Sequence, residues 1–79
     1  MLPKPLNTRC IEHGIIVRPS SGSVVGFYSE NERLLSWMSR VVGDDWIGMT
    51  PNPLVSGYLR GSKKRVARWC IERATEKVT

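Results

Sequence analysis

The chain has 79 residues, 41% hydrophobic and 24% charged, with 12 Lys and Arg against 7 Asp and Glu and a formal net charge of +5. That length holds one small domain over residues 1–79 and no second core, and the apolar content excludes a chain disordered throughout. The longest uninterrupted aliphatic run is Ile15-Ile16-Val17, far short of the about 20 residues that a membrane-spanning helix needs, so no membrane partner is expected.

Residues 1–8 carry two of the prolines and read as an irregular or flexible arm. They contain no apolar run resembling a secretory signal, which points to a cytoplasmic, reducing setting. The two cysteines, Cys10 and Cys70, then read as reduced, buried thiols rather than as a disulfide framework.

Residues 9–28 read as a β-hairpin. Ile11, His13, Ile15 and Val17 alternate along a first strand, and Pro19-Ser20-Ser21-Gly22 is turn chemistry. A second strand follows from Ser23 to Tyr28, with Val25 and Phe27 on one face and Val24 and Tyr28 on the other. Two strands alone are marginal in water, so a helix is expected to cover them.

Residues 29–43 supply that helix in this reading. Ser29 and Glu32 have capping-box spacing, and Leu34, Leu35, Trp37, Met38, Val41 and Val42 recur at helical intervals up to a stop at Gly43. Residues 44–50 read as a connection that tucks Trp46, Ile47 and Met49 against the core. A short helix is expected over residues 53–60, capped by Asn52 and opened by Pro53. A last, basic helix spans residues 62–78, with Ser62 as its cap. The fold class is α+β: an N-terminal β-hairpin covered by an amphipathic helix, then a short helix and a basic C-terminal helix.

The positive charge is concentrated at the C-terminal end. Residues 51–79 hold Arg60, Lys63, Lys64, Arg65, Arg68, Arg73 and Lys77 against only Glu72 and Glu76. Such asymmetry points to a face for an anionic partner. At about 100° per residue, Val66, Ala67, Cys70, Ile71, Ala74 and Val78 share one arc of the last helix, which should be buried. Trp69 falls outside it, in a column with Arg65 and Arg73. Lys63, Lys64 and Arg65 occupy the first turn, where the helix dipole disfavours cations by a few tenths of a kcal/mol each. Stability alone does not select that placement, and a bound polyanion would.

The candidate nucleic-acid-binding set is Lys63, Lys64, Arg65, Arg68, Trp69 and Arg73, with Arg60 just upstream. The cations would contact phosphates or base edges, and the indole would pack on sugar or base. A short helix, a glycine-containing turn at residues 61–62 and a basic helix also have the outline of a helix-turn-helix, which makes DNA a better expectation than RNA. An alternative surface is an edge strand of the hairpin near Arg18 and Tyr28, pairing with another chain or with RNA.

Catalysis needs convergent groups with tuned pKa values. His13 is the single histidine, and its neighbour Glu12 points to the other face of the expected strand. Cys10 and His13 form one C-x-x-H pair with no second pair to close a zinc site. Asp44-Asp45 reads as a solvated turn, and the glycines match no phosphate-binding loop. No catalytic residue, metal or cofactor is expected.

The functional expectation is a small, non-enzymatic nucleic-acid-binding regulator acting through its C-terminal helix, of a size and character that suit a phage or other mobile element. The alternative is a protein-binding inhibitor, such as a phage antagonist of a host defence complex, setting the same basic face against an acidic or nucleic-acid-binding site. A chain this short gains from extra burial, so a homodimer is also in scope.

Overall fold

The computed structural model describes residues 4–51 and 57–78, with side chains as far as residue 76. Its elements are α1 (Lys4–Glu12), β1 (Ile16–Ser21), β2 (Val24–Tyr28), β3 (Leu34–Val42), β4 (Asp45–Met49), β5 (Tyr58–Gly61) and α2 (Lys63–Val78). The five strands form one sheet in chain order, each antiparallel to its neighbour.

This layout overturns the expected one. A five-stranded meander with a helix before and after it replaces the hairpin under a central helix. Residues 4–12 are helical rather than an arm leading into a strand. Pro5 sits in the first turn, where its missing N–H costs nothing, and Leu6 and Cys10, four apart, turn the buried side inward. Gly14, in the left-handed region at φ +67°, reverses the chain so that the Ile15 N–H donates to the Cys10 carbonyl at 2.8 Å.

The expected helix over residues 29–43 is a turn followed by β3. Ser29 does accept a hydrogen bond from a downstream amide, that of Arg33, but it closes the β2–β3 connection instead of capping a helix. Glu32 adopts φ +62° within that turn. Gly43, the expected helix stop, takes φ +55° in the β3–β4 turn. The connection expected at residues 44–50 is largely β4. The expected cap Asn52 and residues 53–56 of the expected short helix lie outside the described residues, and residues 58–60 of that helix are part of β5.

One face of the sheet carries the core. Val25, Phe27, Met38 and Trp46 join Leu6, Cys10 and the inner side of α2 in one buried cluster. Register places Val25 opposite Met38 and Met38 opposite Gly48, which marks this face across the three central strands. The intervening residues Val24, Tyr28, Trp37, Ile47 and Met49 point to the other face, and all five keep partial exposure. Among the described residues, no helix is long and apolar enough to cross a membrane.

Candidate nucleic-acid interface

The terminal helix settles on the sheet along the arc read from its periodicity. Val66, Ala67, Cys70, Ile71 and Ala74 are all fully buried. Two features of the strands admit it. Gly48 has no side chain beneath the helix: a Cβ there would stand 2.9 Å from both Cys70 Sγ and Val66 Cγ1. Ser36, buried on the same face, donates from Oγ to the Cys70 carbonyl at 2.8 Å. Burial pushes the Cys70 thiol up to about 12, so it stays neutral and donates weakly to the Trp37 carbonyl. Ser62 caps the helix as expected, its Oγ accepting from the Arg65 amide at 3.4 Å.

With that arc inward, Lys64, Arg65 and Arg68 project outward together over the first two turns. All three are exposed, and none makes an ion pair with another described residue. Glu72 and Glu76 follow on the same outer side, so the cationic patch belongs to the N-terminal half of α2.

The other expected site residues are placed differently. Lys63 is partly buried, and its Nζ lies 5.2 Å from the centre of the Trp46 ring, at the edge of the patch. Trp69 is partly buried and packs against the core, its ring edge over Gly48. It is therefore a wall between helix and sheet rather than a free stacking platform. Arg73 lies with its guanidinium 5.8 Å from the Trp69 ring and pairs with Glu76 at 2.8 Å, so its charge is spent within the fold.

Arg60 is apart from the group altogether. It stands on β5 opposite Ile47, on the side of the sheet away from α2, and binds Asp45 Oδ2 through Nε at 2.9 Å and through Nη2 at 2.6 Å. That hydrogen bond holds the Asp45 carboxyl below its usual range. The helix-turn-helix reading falls with β5, since a strand rather than a helix precedes the turn into α2.

Arg40 is a cation that the sequence reading did not assign to the site. It stands opposite Trp46 on the helix side of the sheet and is exposed. Strand pairing sets it opposite Trp46, over whose ring Lys63 of α2 lies, more than 20 residues along the chain. Between this helix start and the β1–β2 hairpin lies an open cleft of about 320 Å³, walled by Val17, Pro19, Val25 and Trp46 with Lys63 on its rim. The cleft is apolar and adjoins the cations.

His13 is exposed in the turn after α1 while Cys10, three residues before it, is buried in the core, so the C-x-x-H pair does not converge. Among the described residues, no three His, Cys, Asp or Glu side chains are grouped to hold a metal. Comparison of the chain with protein families, curated proteins and solved structures found none that matches it.

Proposed function

We propose that the chain is a small, non-enzymatic nucleic-acid-binding regulator that grips the phosphate backbone with the outer side of α2. The observation that carries this reading is the convergence of Lys64, Arg65 and Arg68, exposed and without ion-pair partners among the described residues. Three cations crowded into two turns repel one another and oppose the helix dipole, and a line of phosphates relieves both. Arg40 and Lys63 extend the cationic zone toward the apolar cleft, where a base or sugar fits beside a phosphate held at the rim. The buried free thiols of Cys10 and Cys70 suit a reducing, cytoplasmic setting.

Contacts of this kind favour the backbone over base sequence. The test is a fluorescence-anisotropy titration with unrelated labelled duplexes and single strands at two salt concentrations. The expected result is binding to unrelated sequences with similar affinity and a steep loss with salt. Absence of binding at low salt overturns the reading.

A further inference from the structure

Among the described residues, the second face of the sheet has no layer on it. The strand residues of the buried cluster come from the helix side, and the molecule is only 19 Å through its short axis, the depth of one helix layer on one sheet. On the bare face, register aligns Trp37 with Met49 and Met49 with Tyr58, a row of large side chains across three strands. Tyr28, Ile47 and Val42 flank that row. None is buried, and Tyr58 and Val42 are 66% and 68% exposed.

The surface is also held in shape. The Tyr28 ring folds back over Gly26, so closely that a Cβ there would stand 2.6 Å from its Cε1. The Arg18 guanidinium lies 5.4 Å from the same ring's centre. An apolar patch with Ser39 set between Val24 and Ile47, and with Arg18 and Arg60 at its margins, marks a site of association.

We propose that two copies of this chain pair through this face, sheet against sheet, as a weak and reversible homodimer. Charge selects the second copy over a nucleic acid. The arginines at the two margins are each neutralised, Arg18 by Glu32 at 2.8 Å and Arg60 by Asp45 at 2.6 Å. Among the described residues, the face therefore has no unpaired cation for a phosphate, and two copies meet there without net repulsion. The unpaired cations of α2 lie outward on opposite sides of such a pair, about 30 Å apart at about 10 Å per layer, well beyond the Debye length of about 8 Å.

Area sets the strength. Five strands about 4.8 Å apart and about five residues long give about 400 Å² per copy and about 800 Å² in all. That is below the roughly 1,200 Å² of stable complexes and within the range of transient ones. The dimer is accordingly concentration-dependent, and the outward α2 faces give it two backbone-binding surfaces.

Sedimentation equilibrium of the whole chain, freed of nucleic acid, from about 10 μM to about 1 mM tests this. The expected result is a mass rising from one copy toward two across that range. Ile47→Lys and Tyr58→Lys should each weaken self-association at least tenfold with the far-UV circular dichroism spectrum unchanged. Tyr58, mostly exposed on an edge strand, decides alone where Ile47→Lys does not fold. A monomer throughout, or a dimer that both substitutions leave intact, overturns the proposal. Nucleic-acid titration is read separately, so failure there does not bear on the dimer, nor the reverse.

Discussion

The edge of the Trp69 indole lies against Gly48, its Cε3 3.0 Å from where a Cβ on that residue would stand. Gly48 leaves no room for a side chain beneath α2, and Cys70 and Val66 close over it from the same helix. All three neighbours are anchored in or against the core, so none yields as a flexible surface chain would. Gly48→Ala should therefore destabilise the protein by about 1–3 kcal/mol, the range for overpacking a filled core. Urea unfolding followed by tryptophan fluorescence measures it. An unchanged midpoint would show that the helix can lift from β4 at little cost.

Ser36 makes the neighbouring attachment. Its hydroxyl is fully buried on β3 and donates to the Cys70 carbonyl at 2.8 Å, pinning the middle of α2 to the central strand. Ser36→Ala removes the donor and should cost about 1 kcal/mol. Ser36→Val, which adds volume and leaves the carbonyl without its strand partner, should cost more. Equal stability of all three proteins would dismiss the pin.

Ser36 also explains why β3 reads as a helix. It is a polar residue on the core-facing side of a central strand, so the alternation that marks a half-buried strand is broken where it should be clearest. A bulge pairs Tyr28 with Leu34 and Phe27 with Ser36, which leaves Leu35 unpaired and shifts the phase. Apolar Trp37 on the outer face and Met38 on the inner then complete doublets that imitate a period of 3.6. The signals around it were local and ambiguous: Ser29 and Gly43 have the chemistry of helix ends and of tight turns alike.

Legible elements were those whose pattern had one meaning. The buried arc of α2 and the two faces of β2 follow from periodicity alone, since Val25 and Phe27 are buried while Val24 and Tyr28 keep partial exposure. The site was legible in its outward cations, because Lys64, Arg65 and Arg68 share the helix that declares itself. Arg60 and Arg40 were not, because their positions depend on which strands pair. Nor was the bare apolar face, since a strand with large residues on both sides looks the same whether its second side meets a helix, a partner or water.

The thiols give a dependence on pH with a definite sign. Burial raises Cys70 from an ordinary 9.0 to about 12 and Cys10 from 9.0 to about 11. Between pH 9 and those values the unfolded chain loses thiol protons that the folded chain keeps. The unfolded state then binds fewer protons, so stability falls as pH rises. The thiol contribution is complete below about pH 9 and is lost progressively above it. Urea midpoints of the wild type should decline more steeply above pH 9 than those of Cys70→Ser, whose hydroxyl does not titrate there. In addition, both thiols should resist an aromatic disulfide reagent at pH 8 until urea opens the fold. Parallel declines, or rapid labelling of the native protein, would contradict the burial that causes the shift.

Arg60 and Arg68 lie eight positions apart in the same cation-rich third of the chain, one at each side of the sheet, and this separates a phosphate-binding patch from mere net charge. Each substitution by alanine removes one positive charge from the chain. Were affinity for nucleic acid a matter of net charge, the two variants would bind alike. Arg68, however, is exposed on the outer side of α2, whereas Arg60 faces the opposite way and is held by two hydrogen bonds from its guanidinium to Asp45. Arg68→Ala and Lys64→Ala should each lower the slope of log affinity against log salt by about 1, the share of one phosphate contact. Arg73→Ala should change the slope little, because Glu76 already neutralises that side chain at 2.8 Å. Arg60→Ala should leave the slope unchanged while releasing Asp45 to titrate nearer its ordinary value of 3.8. Anisotropy titrations over a series of salt concentrations measure all four slopes, and an equal loss for Arg60→Ala and Arg68→Ala would mean that the outer side of α2 is not where the backbone sits.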